Sequence, residues 1–236
     1  YDPNPDALAK SYVRHGAFID GADRFDASFF GISPPEARAM DPQQRLMLEV
    51  SYEGLLSAGE TQKSLLGSDV GVFVGLTNND WIQVQSGDLK KLSPFTATGT
   101  SASVAAARIS FALGTKGPSY IVDTACSSAL VALDSAVANM QRGRCSRAVS
   151  SAANVMASAA TYISFSKPRM LSVDGRCFTF DASANGYGRG EGAAAASLAE
   201  SSHRPLGAAV NVAGIAVNQD GRSSTMTAPN GPSQQQ

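Results

Sequence analysis

The chain has 236 residues, of which 43% are hydrophobic and 17% are charged, and its formal net charge is −1. This length and hydrophobic content suit one large globular domain with a sizeable core. The charged fraction is below the roughly 25% of an average soluble domain, which indicates surface buried in a broad interior or against a partner. No run of Lys or Arg exceeds two residues, so a nucleic-acid partner held by phosphate contacts is not expected.

Membrane, secreted and metal-binding classes are also disfavoured. No stretch approaches the ~18 consecutive apolar residues of a membrane-spanning helix, and residues 1–6 lack the charged and apolar regions of a signal peptide. We therefore expect a cytoplasmic location and no membrane partner. The cysteines have neither paired nor metal-ligand spacing, which predicts free thiols and no metal. They are Cys126, Cys145 and Cys177.

In chain order, residues 1–38 are rich in turn formers and are expected to be mostly irregular. A helix follows, because Asp41 suits an N-cap, Pro42 suits the first turn and Gln44 stands where it could reach back to the cap. The helix is predicted to end at Gly59 and to pack on a sheet. Its apolar face comprises Leu48, Tyr52, Leu55 and Leu56.

Strand and helix patterns then alternate along the chain. Residues 70–76 form a continuous apolar run of strand length, typical of a covered parallel strand. A helix is predicted from Ser101 to Gly114, and the last two strands are predicted to be joined by a turn at 201–207, as an antiparallel pair. This alternation indicates an α/β fold with mostly parallel pairing. The later strands are predicted over residues 147–155, 193–198 and 210–217.

Periodicity is lost over residues 158–191, which predicts a long structured loop of the kind that often carries function. Residues 188–193 formally fit a dinucleotide-binding fingerprint. We reject that interpretation because no strand precedes these residues and strand-like residues follow them. The glycines are instead interpreted as sites of tight backbone approach.

The most informative stretch is residues 119–130, where a β-branched and aromatic run ends and a helical pattern begins. Residues 120–122 predict a buried strand, and apolar spacing from Ala129 to Met140 predicts a helix that Gly143 ends. Cys126 therefore lies at or near a helix N-terminus, where free amides and the positive end of the dipole favour a thiolate nucleophile. Its own amide could donate to an oxyanion. The alternative is a simple buried cysteine.

Residues 123–128, Asp-Thr-Ala-Cys-Ser-Ser, resemble the nucleophile motif of β-ketoacyl synthases, in the form found in modular type I polyketide synthases and related fatty acid synthases. Other segments resemble the family in family order. The resemblance implies a thiolase-like fold, which is an α/β fold layered α-β-α-β-α, with this chain covering most of its N-terminal half. The segments are residues 29–33, 40–45, 98–100, 167–171, 174–176, 180–183, 190–192 and 217–221.

The resemblance also implies that residues 1–236 are one β-ketoacyl synthase N-terminal region. The family's first strand would precede Tyr1, and its C-terminal half, with both catalytic histidines, would follow Gln236. His15 and His203 match neither histidine motif and are expected to be solvated or locally bonded. The chain alone is therefore expected to be inactive.

The implied activity is a decarboxylative Claisen condensation in polyketide or fatty acid biosynthesis. Cys126 would accept an acyl group from the phosphopantetheine arm of an acyl carrier protein, and its amide would serve the oxyanion. A malonyl-type extender on a second carrier would lose CO2 and attack the resulting thioester. No bound cofactor is expected, because phosphopantetheine arrives on the carrier. Further implied partners are neighbouring synthase domains such as an acyltransferase and a second copy of the chain, paired through strand 120–122.

Secondary roles are assigned to two further sets of residues. A place in the core is the alternative for the aromatic and Met side chains of the first set, and catalysis is the alternative for the second set. The first set would line or gate the acyl pocket or border the partner subunit's channel, and comprises Phe165, Met170, Phe180, Thr98 and Thr100. The second would form a buried polar network that orders the glycine loop, defined as residues 186–192, and comprises Asp181, Arg189 and Glu191.

Two alternative functions remain open. A non-catalytic dimerisation or carrier-docking module would retain the cysteine without using it. A thiolase would share the fold and the acyl-cysteine chemistry but would use coenzyme A esters without decarboxylation. Residues 167–192 do not resemble a thiolase.

Overall fold

A four-stranded mixed sheet lies at the centre of the protein, in a computed structural model that describes residues 1–200, 210–226 and 228–235. The strand order is β2-β1-β3-β4; β1 pairs in parallel with β2 and β3, and β4 is antiparallel to β3. The predicted α/β class with mostly parallel pairing is therefore confirmed. The strands are β1 (Gly71–Gly75), β2 (Ser119–Val122), β3 (Arg147–Asn154) and β4 (Gly192–Ala199).

One strand prediction is wrong. Residues 210–217 form no strand, and β4 pairs with β3 instead. A strand needs a neighbouring backbone to satisfy its amides and carbonyls, and the described residues supply none beside this segment. Its valines are exposed, with Val210 at 82%. The predicted turn at 201–207 and His203 lie outside the described residues.

Helices cover both faces of the sheet. Two helices, α2 and α6, pack on one face, while α7 packs on the other, so the described residues form three layers, α-β-α. A 3-10 turn at Leu89–Lys91 follows α4. The helices are α1 (Pro34–Ala39), α2 (Pro42–Ser57), α3 (Gln62–Leu65), α4 (Asp80–Ser86), α5 (Thr96–Thr100), α6 (Ala102–Leu113), α7 (Ser128–Gln141), α8 (Ala160–Ser166) and α9 (Gly231–Gln234). Among the residues described, we find no helix with the length and apolar character required to cross a bilayer.

Helix α2 begins as predicted, because the Asp41 carboxylate accepts the Gln43 amide at 2.8 Å. Leu48 and Leu55 are buried against the sheet, whereas Leu56 is 50% exposed, so its predicted place on the buried face is wrong. One residue beyond Leu55 the helix has turned by about 100°, which carries Leu56 away from the sheet. The predicted reach of Gln44 back to the cap is also wrong, because its side chain bonds elsewhere.

Helix α7 is present and ends before Gly143, whose φ of 66° suits a helix stop. The apolar spacing that predicted the helix does not mark its buried face, because Leu130 is 67% exposed. Small residues, including Ala132 and Ala136, face Phe73 of β1 instead. The helix can therefore lie close to the sheet.

The N-terminal segment and the predicted long loop pack against each other through hydrogen bonds. Apart from α1, residues 1–38 are irregular, and α8 is a helix inside the long loop that the sequence pattern did not predict. The Tyr12 hydroxyl donates to the carbonyl of Leu171 at 2.6 Å. Ala17 exchanges backbone hydrogen bonds with the glycine loop, through Arg189 at 2.9 Å and Glu191 at 2.8 Å. These contacts hold the N-terminal segment against the long loop.

Candidate active site

Cys126 lies in a tight turn between β2 and α7, two residues before the first residue of the helix. We call residues 123–128 the cysteine turn. Ala125 has a φ of 54°, an uncommon left-handed conformation for a residue with a Cβ. The thiol of Cys126 is free and exposed, so the alternative of a simple buried cysteine is wrong.

Hydroxyl groups hold the cysteine turn in shape. The buried Ser128 hydroxyl accepts the Thr124 amide at 2.8 Å and donates to the carbonyl of Ala125 at 2.6 Å. Thr77, just after β1, places its hydroxyl oxygen 3.1 Å from the Asp123 carboxylate, 3.1 Å from the Ala125 carbonyl and 3.0 Å from the Ser128 hydroxyl. The strained residue before Cys126 is thus fixed by side chains from two elements.

Gly75 allows this turn to lie against the sheet. A Cβ at Gly75 would stand 2.7 Å from the Ala129 amide nitrogen and 2.7 Å from the Ser128 carbonyl carbon, which are backbone atoms of the first turn of α7. Only glycine permits that approach. This role was not predicted from the sequence, although a glycine that closes a buried strand is its signal.

Asparagine side chains tie the glycine loop to the same edge of the sheet. The carboxyl ends of β1, β2 and β3 meet there because the strands are parallel. The Asn78 side chain donates to Asn154 at 2.8 Å, and Asn154 donates to the carbonyl of Gly190 at 2.6 Å. Sites in open α/β sheets form at such edges. No sequence pattern singled out either asparagine.

Two backbone hydrogen bonds hold Tyr187 in place within the glycine loop. Its amide donates to the carbonyl of Met170 at 3.1 Å, and its carbonyl accepts the Ser172 amide at 3.0 Å. Gly186 has a φ of 131°, and a Cβ there would lie 2.6 Å from the Leu171 carbonyl carbon. A Cβ at Gly188 would lie 2.5 Å from the carbonyl oxygen of Gly175. Tight backbone approach is thus present at Gly186 and Gly188.

Tight backbone approach is not found at the other two glycines of the loop, Gly190 and Gly192. A Cβ at Gly190 would meet its nearest atom, the Ala17 Cβ, at 3.6 Å, and a Cβ at Gly192 would meet nothing within 4 Å. Both positions therefore have room for a side chain. These glycines precede and begin β4, where extended backbone suits any residue.

Tyr187 lies within electrostatic range of Cys126. Burial raises the pKa of Tyr187, and the negative charge of an ionised Cys126 raises it further, while the Arg189 guanidinium lowers it. Tyr187 is 36% exposed. Tyr187 therefore interacts electrostatically with an ionised Cys126, and no sequence pattern singled it out.

The predicted polar network is only partly formed. Glu191 accepts the amides of Met156 at 2.7 Å and Ile19 at 3.1 Å, so this carboxylate does order the glycine loop. Asp181 instead accepts the amide and hydroxyl of Ser183, at 2.8 and 2.7 Å, and these two bonds lower its pKa. In the part of the chain that the structure describes, no hydrogen bond joins Asp181 to Arg189, because Asp181 turns back on its own exposed segment.

Arg189 is 9% exposed and lies between aromatic rings. Its guanidinium carbon stands 5.2 Å from the Tyr162 ring centre and 5.1 Å from that of Phe165, and its Nε donates to the Met156 sulfur at 3.3 Å. Its Nη1 has no hydrogen-bond partner among the described residues. Phe165, predicted to line an acyl pocket, thus supports this arginine.

The remaining predicted pocket residues lie in different surroundings. Met170 is partly exposed and supports Tyr187 through its carbonyl. Phe180 is fully exposed and has a φ of 62°. The Thr98 and Thr100 hydroxyls donate to carbonyls of their own segment, those of Phe95 at 3.2 Å and Thr96 at 2.8 Å. No contact in the described residues brings these threonines together with Cys126.

A buried glutamine holds the segment that carries the two threonines. Gln44 Nε2 lies 3.2 Å from the carbonyls of Thr98 and Gly99 and 3.1 Å from that of Ser101, and its Oε1 accepts the Arg108 Nε at 2.9 Å. The sequence pattern had instead predicted that the Gln44 side chain reaches back to the helix cap.

The structure also places one of the two histidines. His15 is exposed, and its carbonyl accepts the Tyr162 hydroxyl at 3.4 Å. Within residues 1–200, 210–226 and 228–235, no three His, Cys, Asp or Glu side chains group as metal ligands.

Comparison with known proteins identifies relatives along the whole chain. Residues 1–204 match the family model described as Beta-ketoacyl synthase, N-terminal domain. The chain is 46% identical over 241 residues to the pikromycin polyketide synthase component PikAII of Streptomyces venezuelae. It is 49% identical over 238 residues to the phenolphthiocerol synthesis polyketide synthase type I Pks15/1 of Mycobacterium bovis. Both alignments cover 100% of this chain, but 6% and 11% of those relatives.

A solved structure agrees with these matches and with the expected thiolase-like fold. A variant of the ketosynthase from module 6 of the bacillaene synthase from Bacillus subtilis 168 superposes with a TM-score of 0.85 at 32% identity. The superposition covers 99% of this chain and 39% of that chain. The chain therefore belongs to the β-ketoacyl synthase family, and within it to the ketosynthases of modular type I polyketide synthases.

Proposed function

We propose that this chain supplies the nucleophile of a decarboxylative Claisen condensation in polyketide biosynthesis, with Cys126 as the acyl acceptor. The observation that carries the proposal is the exposed Cys126 thiol on a strained turn that enters α7. Free amides and the positive end of the dipole at a helix N-terminus favour a thiolate. The relatives are polyketide synthases, which supports the class of substrate proposed.

The proposed reaction has two halves. In the first, the Cys126 thiolate attacks the thioester carbonyl of an acyl chain on phosphopantetheine, and the carrier thiol leaves. In the second, a malonyl-type extender loses CO2, its enolate carbon bonds to the acyl carbonyl, and the bond from that carbonyl to Sγ breaks to restore the thiolate. The Cys126 amide is proposed to stabilise the oxyanion in both halves.

The histidines of the reaction are proposed to come from sequence outside this chain. His15 is exposed and belongs to the segment that packs on the long loop. The chain spans 39% of the bacillaene ketosynthase and a smaller share of the curated relatives. We accordingly propose that residues 1–236 are an N-terminal region that needs a second half for turnover.

The proposed partners are an acyl carrier protein, a neighbouring acyltransferase domain and a second copy of this chain. Strand β2 is an edge of the sheet, and its Tyr120 side chain is 41% exposed. An open edge can pair with the same edge of a second copy by two-fold symmetry. Sedimentation of a complete domain as a monomer would contradict this pairing.

Intact-mass analysis tests the proposal. The chain, and a polypeptide that extends it at both ends to a whole ketosynthase domain, are incubated with an acyl thioester and then with a malonyl carrier protein. We expect acylation in the wild type and in Cys177→Ala, which removes another exposed thiol, but not in Cys126→Ala. We expect chain extension and CO2 release only in the longer polypeptide.

The other outcomes favour the alternatives. A folded, extended polypeptide that is not acylated would support the docking-module interpretation. Condensation of two coenzyme A esters without CO2 release would support thiolase chemistry.

A further inference from the structure

We propose that Ser128, supported by Thr77, is a positioning residue for the oxyanion donor. Its hydroxyl holds the peptide group between Ala125 and Cys126 in the orientation that leaves the Cys126 amide free to meet the reacting oxygen. This inference rests on the proposed role of Cys126 as the acyl acceptor. It gives the hydroxyl groups of the cysteine turn a part in the chemistry of the oxyanion.

The first support is the set of donors around the carbonyl oxygen of Ala125. The Ser128 hydroxyl donates to this oxygen at 2.6 Å, and the Ser128 amide donates to it at 3.1 Å. The Thr77 hydroxyl oxygen, just after β1, lies 3.1 Å from the same atom. The Ala125 carbonyl is therefore held toward the first turn of α7 and the end of β1.

The orientation of that carbonyl determines the direction of the Cys126 amide. The two groups belong to one planar peptide unit, in which the carbonyl and the N–H point in opposite directions. Because the carbonyl is turned toward α7 and β1, the N–H points away from both elements. Within the described ranges this N–H donates no hydrogen bond, and Cys126 is exposed. The amide is thus available to an incoming group.

The second support is the strained backbone that Ser128 spans. Ala125 has a φ of 54°, and such a conformation persists only where its surroundings hold it. The Ser128 side chain is 4% exposed, and its oxygen also accepts the Thr124 amide at 2.8 Å. On the same turn, the Asp123 carboxylate accepts the Ala125 amide at 3.1 Å. The Ser128 hydroxyl thus ties together the backbone on both sides of the strained residue.

The Cys126 amide acts on the step in which oxygen gains charge. The thiolate Sγ forms a bond to the thioester carbon, and the π electron pair of the carbonyl moves to its oxygen. The carbonyl forms again when the bond from carbon to the carrier sulfur breaks and that sulfur leaves with the electron pair. A donor that is already oriented needs no rearrangement during this step. Ser128 contacts neither reacting atom and acts through the direction of the amide.

Two reactions of Cys126, compared on the extended ketosynthase polypeptide, test the inference. Acylation by a thioester passes through an oxyanion, whereas alkylation by iodoacetamide displaces iodide without one, and both need the same thiolate. Removal of an oxyanion donor costs roughly 100- to 1,000-fold in rate, and a loosened donor should cost less. In Ser128→Ala we therefore expect acylation to slow about tenfold relative to alkylation. Peptide masses distinguish Cys126 from Cys177, the other exposed thiol.

The matched control is Ser127→Ala. The Ser127 hydroxyl donates to the Thr124 carbonyl at 2.8 Å and not to that of Ala125, so the ratio of acylation to alkylation rates should keep its wild-type value. An unchanged ratio in a folded Ser128→Ala would overturn the inference. Equal slowing of both reactions would overturn it as well, because the serine would then act on the thiol and not on the oxyanion.

A variant on another element keeps the test decisive if Ser128→Ala does not fold. Thr77→Val removes the second hydroxyl at the Ala125 carbonyl, and it should lower the same ratio about fivefold. An unchanged ratio in that variant would then overturn the inference. If the wild type were alkylated at Cys126 but took up no acyl group, the proposed function would be overturned, and the inference with it.

Discussion

The backbone of Ala129 lies so close to Gly75 that a Cβ on the glycine would stand 2.7 Å from the Ala129 nitrogen. This contact joins the last residue of β1 to the first turn of α7. It shows how closely the start of α7 approaches the sheet, and it agrees with the small residues on the buried face of α7.

Gly75→Ala is expected to force these elements apart. Overpacking of this kind costs about 1–3 kcal/mol, so thermal unfolding should shift to lower temperature. Acylation of Cys126 should slow as well, because the turn that carries it is displaced. The matched control is Gly192→Ala, where a Cβ meets nothing within 4 Å and stability should be unchanged or slightly higher. Equal unfolding temperatures for the two variants would contradict the close contact.

Thr77→Val should weaken the hold on the cysteine turn. The variant keeps the shape of the side chain but removes the hydroxyl near Asp123, Ala125 and Ser128. A lost hydrogen bond of about 1 kcal/mol corresponds to roughly fivefold slower acylation, measured by intact mass at short times. Thr77→Ser retains the hydroxyl and should react at close to the wild-type rate. If valine and serine gave the same rate, the hydroxyl would have no positioning role.

Gln44→Met should destabilise the fold more than most helix substitutions. The buried amide bonds the carbonyls of the 98–101 segment and the Arg108 side chain, and methionine satisfies none of them. Leaving a buried polar group unpaired costs about 1–3 kcal/mol. Gln141→Met is the control, because Gln141 is exposed at the end of α7. Chemical denaturation of both variants measures the difference, and a cost below 1 kcal/mol for Gln44→Met would contradict the assigned bonds.

Cys145 should behave differently from the two exposed cysteines. Burial raises the pKa of its thiol, and the nearby Asp69 carboxylate raises it further. A pKa raised by folding stabilises the protein below the unfolded value, roughly 8.5, and that contribution is lost as the pH rises toward the folded value. Stability should therefore fall above about pH 8.5, and Cys145→Ala should fall less steeply. Rapid alkylation of native Cys145 at pH 8 would contradict its burial.

The local elements could be predicted because each depends on residues that are close together in the sequence. The cap at Asp41, the apolar run of β1 and the change from strand to helix at Cys126 each arise from neighbouring residues. The prediction of a strand at 210–217 was wrong because a strand needs a partner to pair with. An apolar run does not show whether such a partner is present. The prediction that Gln44 reaches back to the cap was wrong for a similar reason, since its side chain bonds a backbone segment distant in sequence.

By itself, the sequence determined the α/β class, the family resemblance and the place of Cys126 where a strand gives way to a helix. These follow from periodicity and from one short motif. Only the tertiary structure showed that Gly75 admits α7 and that Asn154 ties the glycine loop to the sheet edge. Such contacts join residues far apart in sequence, and their partners become known only when parallel strands bring their carboxyl ends together.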